Sequence, residues 1–137
     1  MNLTENQIHR YSRNILLPEI GGEGQNKLFN SKVLVIGAGG LGSPVLMYLA
    51  AAGIGQLGIV DNDSIELSNL QRQIIHKTKN LSQLKTKSAQ ETISLINPEI
   101  SVNTYPVRLN HSNIMPLIQS YDIVADGTDN FETRFLI

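Results

Sequence analysis

The 137-residue sequence has no cysteine and no tryptophan, and only 5% of it is aromatic. Without cysteine the chain can form no disulfide, thiolate zinc site or thioester of its own. No apolar run approaches the roughly 20 residues a membrane-spanning helix needs. The opening MNLTENQIHRYSRN is polar and has no apolar signal core. A soluble, cytoplasmic protein with no membrane partner is therefore expected. An excess of positive charge is missing too: 11 Lys and Arg stand against 12 Asp and Glu, for a net charge of −1. That argues against nucleic-acid binding, which needs a clear basic surplus. Repeats, low-complexity tracts and linkers are absent, and the length suits one domain able to bury roughly two-thirds of its unfolded surface.

The charge that is present is unevenly spread. Between Glu66 and Glu91 there is no acidic residue, yet Arg72, Lys77, Lys79, Lys85 and Lys87 all fall there. Such a block is either a solvated face or a surface built to meet an anion.

The hydrophobic pattern divides the chain in two. Residues 1–30 read as a helical segment: Thr4 is a plausible N-cap, Ile8, Tyr11 and Ile15 share one side, and Pro18 with Gly21 and Gly22 breaks the run. Residues 31–137 read as alternating strands and helices. KVLVIG is a continuous apolar run, as in a strand buried on both faces. LGSPVLMYLAAAGIG follows at helical spacing, with Pro44 in the first turn and Gly53 as terminator. QLGIVD is a second strand. A helical turn starts at Glu66. The stretch LSQLKTKSAQETISLIN forms a helix capped by Ser82, with Leu84, Ala89, Ile93 and Ile96 on one side and Pro98 beyond its end. ISVNTYPVR is a strand, NIMPLIQSY a short helix with Asn113 as candidate cap, DIVADGT a further buried strand, and DNFETRFLI the opening of a helix. The alternation defines a Rossmann-like, doubly wound α/β fold with a mainly parallel sheet and helices on both faces. The last helix ends on RFLI without cap or glycine, so a longer natural protein is expected.

Gly37, Gly39 and Gly42 match G-x-G-x-x-G between a strand and a helix. This spacing permits a tight turn, close approach of a phosphate to the backbone, and tight helix–sheet packing. Gly40 adds another position without a Cβ. The helix N-terminus then offers free N–H groups to an anion. Asp61, about twenty residues further on, ends the second strand, where a carboxylate can accept from ribose hydroxyls or cap the following turn; Asp63 suits a turn. Arg72 carries a planar fork suited to two phosphate oxygens. Lys85 sits where a helix dipole mildly disfavours a cation, which fits a position with an anion to meet. Lys77, Lys79 and Lys87 suit solvated surface. Asp126 and Asp129 end the later strand; Asp129 can hold Mg²⁺ or, together with Asn130, cap a helix. His9, His76 and His111 show no ligand spacing and suit surface or capping roles, and Tyr11 and Phe29 suit the core.

Taken together, RYSRNILLPEIGGEGQNKL, VLVIGAGGLGSPVLMYLAAAGIG, VDNDSIELSNLQRQ, Lys85 and DGTDN resemble the MoeB/ThiF/HesA group, bacterial relatives of the ubiquitin-activating enzymes. The resemblance runs over essentially the whole chain. It implies an ATP- and Mg²⁺-dependent adenylyltransferase acting on the C-terminal Gly-Gly of a ubiquitin-like sulfur carrier, MoaD- or ThiS-like, for molybdopterin or thiamin synthesis. By position, Gly40 approaches the nucleotide through its backbone and Asp61 holds the ribose. Asn69, Arg72 and Lys85 meet the phosphates, Ser68 and Gln71 belong to the same binding motif, and Gln73 is a weaker candidate. Asp129 binds the metal beside Asn130. Arg13 reaches the neighbouring subunit's site in a homodimer. The group's Cys-x-x-Cys zinc ligands have no counterpart here, so the chain corresponds to the N-terminal, nucleotide-binding half. Two other functions stay open: the glycine loop with Asp61 fits an NAD(P)-dependent oxidoreductase domain, and the uncapped apolar end at RFLI fits a non-enzymatic nucleotide-binding or dimerisation module.

Overall fold

The computed structural model describes residues 2–137. Three helices come first: α1 (Glu5–Arg10), α2 (Ser12–Ile15) and α3 (Gly21–Phe29). Then follow β1 (Lys32–Ile36), α4 (Gly42–Ala52) and β2 (Gln56–Val60). A connection with 3₁₀ turns at Leu67–Asn69 and Thr78–Asn80 leads to α5 (Lys85–Ile96), β3 (Ser101–Tyr105), α6 (Ile114–Gln119), β4 (Ile123–Asp126) and α7 (Phe131–Leu136). The four strands form one parallel sheet in the order β3-β2-β1-β4. In register, Val33 of β1 lies opposite Leu57 of β2 and Ile123 of β4.

Strand alternation in β1 splits the core into two layers. Val33 and Val35 pack with Leu46 and Ala50 of α4 and with Ala89 and Ile93 of α5. Leu34 and Ile36 point the other way, to Ile114 of α6, Tyr121 and Leu136 of α7. Helices thus cover both faces of the sheet, the doubly wound arrangement. A fully buried side chain such as Leu46 contributes roughly 1.5–3 kcal/mol. No helix among the described residues is long and apolar enough to cross a membrane.

The N-terminal segment is organised by buried polar groups rather than by one apolar stripe. Thr4 does cap α1, in a reciprocal pair with Gln7. The expected continuous helix is broken at Tyr11, whose ring is fully buried and would lie 2.6 Å from a Cβ on Gly53. Asn97 Nδ2 donates to the Tyr11 hydroxyl (2.8 Å) and to the Ala50 carbonyl (2.9 Å). Ile8 is left half-exposed. Gly21 and Gly22 start α3 instead of ending a helix, and Gly21 supplies a φ of +57° at the entry. Within α3, buried Gln25 donates to the Ala52 carbonyl at the end of α4 (2.9 Å). Phe29 is only partly buried.

At Ser82, pairing between segments separated in sequence overrides a local signal. α5 begins at Lys85, not at Ser82. Ser82 donates its N–H to Ile65 O (2.9 Å), while Ile65 N–H donates to Gln83 O (2.9 Å). This pairing holds Ser82 at φ +70°, the left-handed region. Leu84 is consequently exposed, and α5 buries Lys85, Thr86, Ser88, Ala89, Thr92 and Ile93. Asn113 precedes α6 without capping it, because its side chain bonds Asn110 N and Arg108 O. β4 is not a buried strand: it lies at the edge of the sheet, and Ile123 is 59% exposed.

A non-glycine residue in the left-handed region costs about 1–2 kcal/mol, against the roughly 0.5–1 kcal/mol of extra unfolded-chain entropy that glycine carries. Ser82→Gly is therefore expected to stabilise the fold by about 0.5–1 kcal/mol, read as a rise in the urea midpoint at unchanged slope. An unchanged or lower midpoint would show that the turn carries no strain.

Candidate nucleotide-binding site

A cleft of ≈ 610 Å³ opens at the carboxyl ends of all four strands. It is lined by Gly37, Gly39 and Gly40 after β1, Asp61 to Asp63 after β2, Val107 to Leu109 after β3, and Gly127 to Asn130 after β4, with Arg72, Gln73 and Lys85 from the long connection and α5. The chain runs outward from β1 through β2 to β3, then returns to place β4 on the other side of β1. Ligands of open α/β sheets bind at such a reversal of strand order.

Close packing shapes the floor. Gly37 has φ +95°, and a Cβ there would lie 2.9 Å from Gly127 O. A Cβ on Gly42 would collide with Gly37 O. Gly42 thus serves helix–sheet packing and does not line the cleft, whereas Gly39 and Gly40 do. The Ala38 peptide groups are held from two sides: Ala38 N–H donates to Asp61 Oδ2 (2.9 Å), and Ala38 O accepts from His76 Nε2 (2.7 Å). Asp61 Oδ1 accepts from Asp63 N–H (2.8 Å), so its carboxylate shapes both the glycine loop and the following turn. Each carboxylate oxygen has capacity for a second donor.

The two cations singled out in the basic window both reach the cleft. Arg72 packs over Gly40, where a Cβ would meet its Cγ and Cδ at 3.5 Å, and its Nη1 donates to Ser68 O (3.3 Å). Lys85 stands at the first position of α5 with its side chain only 8% exposed, its Nζ 3.7 Å from Asp63 Oδ2. Lys77 turns inward to Thr92 Oγ1 (2.6 Å), and Lys79 and Lys87 are exposed.

Asn130 caps α7, its Oδ1 accepting from Thr133 N–H (2.8 Å). Asp129 is left exposed at the cleft and makes no hydrogen bond among the described residues. Asp126 is structural: Oδ1 accepts from Thr128 N–H (2.9 Å) and Oγ1 (2.6 Å), and Arg134 lies 3.7 Å from Oδ2. Ser68, Asn69 and Gln71 do not line the cleft; Asn69 Oδ1 instead accepts from Glu66 N–H (2.9 Å) in the 3₁₀ turn. Arg13 is exposed on α2 and lines no part of its own chain's cleft.

Sequence reasoning missed Asp63 as the partner of Lys85, and Arg108, which lines the cleft and pairs with Glu132 (2.9 Å). The end of β3 is itself a signal for Arg108, since every parallel strand delivers its carboxyl end to the same crevice. It also misassigned His76, which is neither surface nor cap. The residue is buried, its ring wedged between Ala38 O (2.7 Å) and Ser88 Oγ (2.9 Å).

Fold and cleft define a class: a doubly wound α/β protein with a glycine loop at the reversal of strand order and two cations, Arg72 and Lys85, lining the same cleft. The ThiF family model matches residues 11–137, and the chain belongs to that family. It is 50% identical over 135 residues to a probable adenylyltransferase/sulfurtransferase MoeZ of Mycobacterium tuberculosis, covering 98% of this chain and 34% of that protein. It is 44% identical over 137 residues to a sulfur carrier protein adenylyltransferase of Thermus thermophilus, covering all of this chain and 51% of that protein. The chain thus spans about a third to a half of the length of these curated relatives. Its backbone matches the crystal structure of E. coli tRNA N6-threonylcarbamoyladenosine dehydratase, TcdA, in complex with ATP with a TM-score of 0.88 and 26% identity, over 95% of this chain and 53% of that one.

Burial, reinforced by the Lys85 and Lys77 ammonium groups and opposed by the Ala38 carbonyl and Asp61, pushes the His76 pKa below its ordinary 6.5. The unfolded chain therefore binds the proton at a higher pH than the folded one. Stability from this group is complete above pH 6.5 and is lost as pH falls toward the folded value. The urea midpoint is expected to drop between pH 7.5 and 5.5, and His76→Gln, which cannot titrate, to flatten that drop. Equal slopes in the two proteins would overturn the assignment.

Proposed function

We propose that this chain is the nucleotide-binding part of an adenylyltransferase. It uses ATP and Mg²⁺ to activate the C-terminal Gly-Gly carboxylate of a ubiquitin-like sulfur carrier, MoaD- or ThiS-like, for molybdopterin or thiamin synthesis. The observation that carries this is the meeting of Arg72 and Lys85 with Gly39 and Gly40 in one cleft. A redox dinucleotide, bound and released intact, needs no such pair of cations, whereas cleavage of a triphosphate must neutralise a leaving pyrophosphate. The names of the relatives support the same chemistry.

The donor set fits the substrate. Asp61 has acceptor capacity left for ribose hydroxyls, and Gly39 and Gly40 allow the phosphates to approach the backbone. Asp129, a free carboxylate beside the phosphate region, suits Mg²⁺, which takes one or two carboxylates together with phosphate oxygens and water. Bound there, the metal would supply charge neutralisation. A carrier carboxylate is already ionised near pH 7 and needs no general base. Arg72 and Lys85 therefore act by positioning and by compensating charge on the α-phosphate and the departing pyrophosphate. Arg13, exposed on α2, would serve the cleft of a second copy in a homodimer.

Pyrophosphate exchange into ATP by the natural gene product is expected to require the carrier. Arg72→Ala and Lys85→Ala should each lower it about 10²-fold or more, as loss of one transition-state donor does. Full-rate exchange in both variants, or tight NADH binding without ATP binding, would overturn the proposal.

A further inference from the structure

We infer that His76 is a positioning residue for the nucleotide: from beneath the cleft it fixes the peptide that turns the Gly39 N–H toward the phosphates. The inference rests on the ATP-binding function proposed above. It starts from the carbonyl that His76 holds. Ala38 is wholly buried, and its oxygen accepts from His76 Nε2 at 2.7 Å. The peptide joining Ala38 to Gly39 is planar and trans, so its C=O and N–H point in opposite directions. A carbonyl aimed down at the imidazole leaves the Gly39 N–H aimed up. Gly39 lines the cleft, and neither its N–H nor that of Gly40 donates to any group among the described residues. Adjacent free amides of this kind form an anion-binding concavity.

The ring is itself fixed. A carbonyl can only accept, so Nε2 carries the proton, and in the neutral imidazole Nδ1 accepts from Ser88 Oγ (2.9 Å). Ser88 lies on α5, three residues beyond Lys85 and on the buried side of the helix. His76 therefore ties the glycine loop to the helix that delivers the cation, keeping oriented donors and positive charge in one frame. The charged groups facing the ring are Lys85, Lys77 and Asp61, and burial keeps the ring neutral near pH 7. His76 does not line the cleft, so it acts through Ala38 and not on the ligand.

Two substitutions separate this role from mere packing. His76→Gln can place an N–H near the position of Nε2, while His76→Asn reaches only toward Ser88. In the full chain without nucleotide, ¹⁵N NMR should find the His76 proton on Nε2. The Gly39 amide resonance should stay close to its wild-type position in His76→Gln and move in His76→Asn. The Mg·ATP dissociation constant should rise about 10- to 100-fold in His76→Asn, the loss of one hydrogen bond to a charged group, and recover in His76→Gln. Should His76→Asn fail to fold, Ser88→Ala, which frees the ring, decides by the same two readouts. Wild-type affinity in the folded Asn variant, or a proton on Nδ1, would overturn the inference. Failure of the wild-type chain to bind ATP would instead sink the functional proposal, with the Gly39 resonance still deciding whether His76 holds the loop.

Discussion

The contact between Gly42 and the Gly37 carbonyl is the constraint on which the site depends. No Cβ fits between them. Helix α4 can therefore press its N-terminus against the end of β1, and the turn after β4 closes against the same point through Gly127. Unpaired amides and the positive end of a helix dipole are thereby concentrated where two neighbouring parallel strands end. A single methyl group at residue 42 would force the helix outward and dissolve that arrangement.

Charge is managed around this point by burial as much as by number. Lys85 is an uncapped cation at the start of α5, a position its own helix dipole disfavours. Asp63 offsets part of that cost from 3.7 Å away, and the Asp63 carbonyl accepts the Lys85 N–H (3.0 Å). An ammonium so enclosed has lost much of its water, and its attraction to an incoming anion is screened less than at an open surface. Arg72 is exposed and lies across Gly40, where its planar fork can engage two oxygens at once. One cation is set in place and the other is free to adapt.

The sequence was informative where a physical signal is local and weak where partners are far apart. The glycine spacing, the β1 and β2 runs, Gly53 as helix terminator and the 3₁₀ turn after Glu66 all follow from short-range sterics or hydrophobic pattern, and the structure contains each of them. Ser82 is a residue type favoured as a helix cap, but pairing with Ile65 places it in a turn instead. His76 lacked any spacing signature because its partners, Ala38 and Ser88, are 38 and 12 residues away. Tyr11 broke a helix whose pattern looked continuous, because its hydroxyl is recruited by Asn97, 86 residues distant.

By itself, the sequence determined the class of fold, the position of the glycine loop and the acid-free basic window that follows the second strand, since periodicity, backbone freedom and formal charge are properties of the residues themselves. Only the tertiary structure decided which of the five basic residues in the acid-free window turn toward the loop, which carboxylates are spent on turns and which stays free, and what supports the loop from below. Those outcomes depend on burial and on hydrogen bonds between segments that meet only when the sheet is assembled.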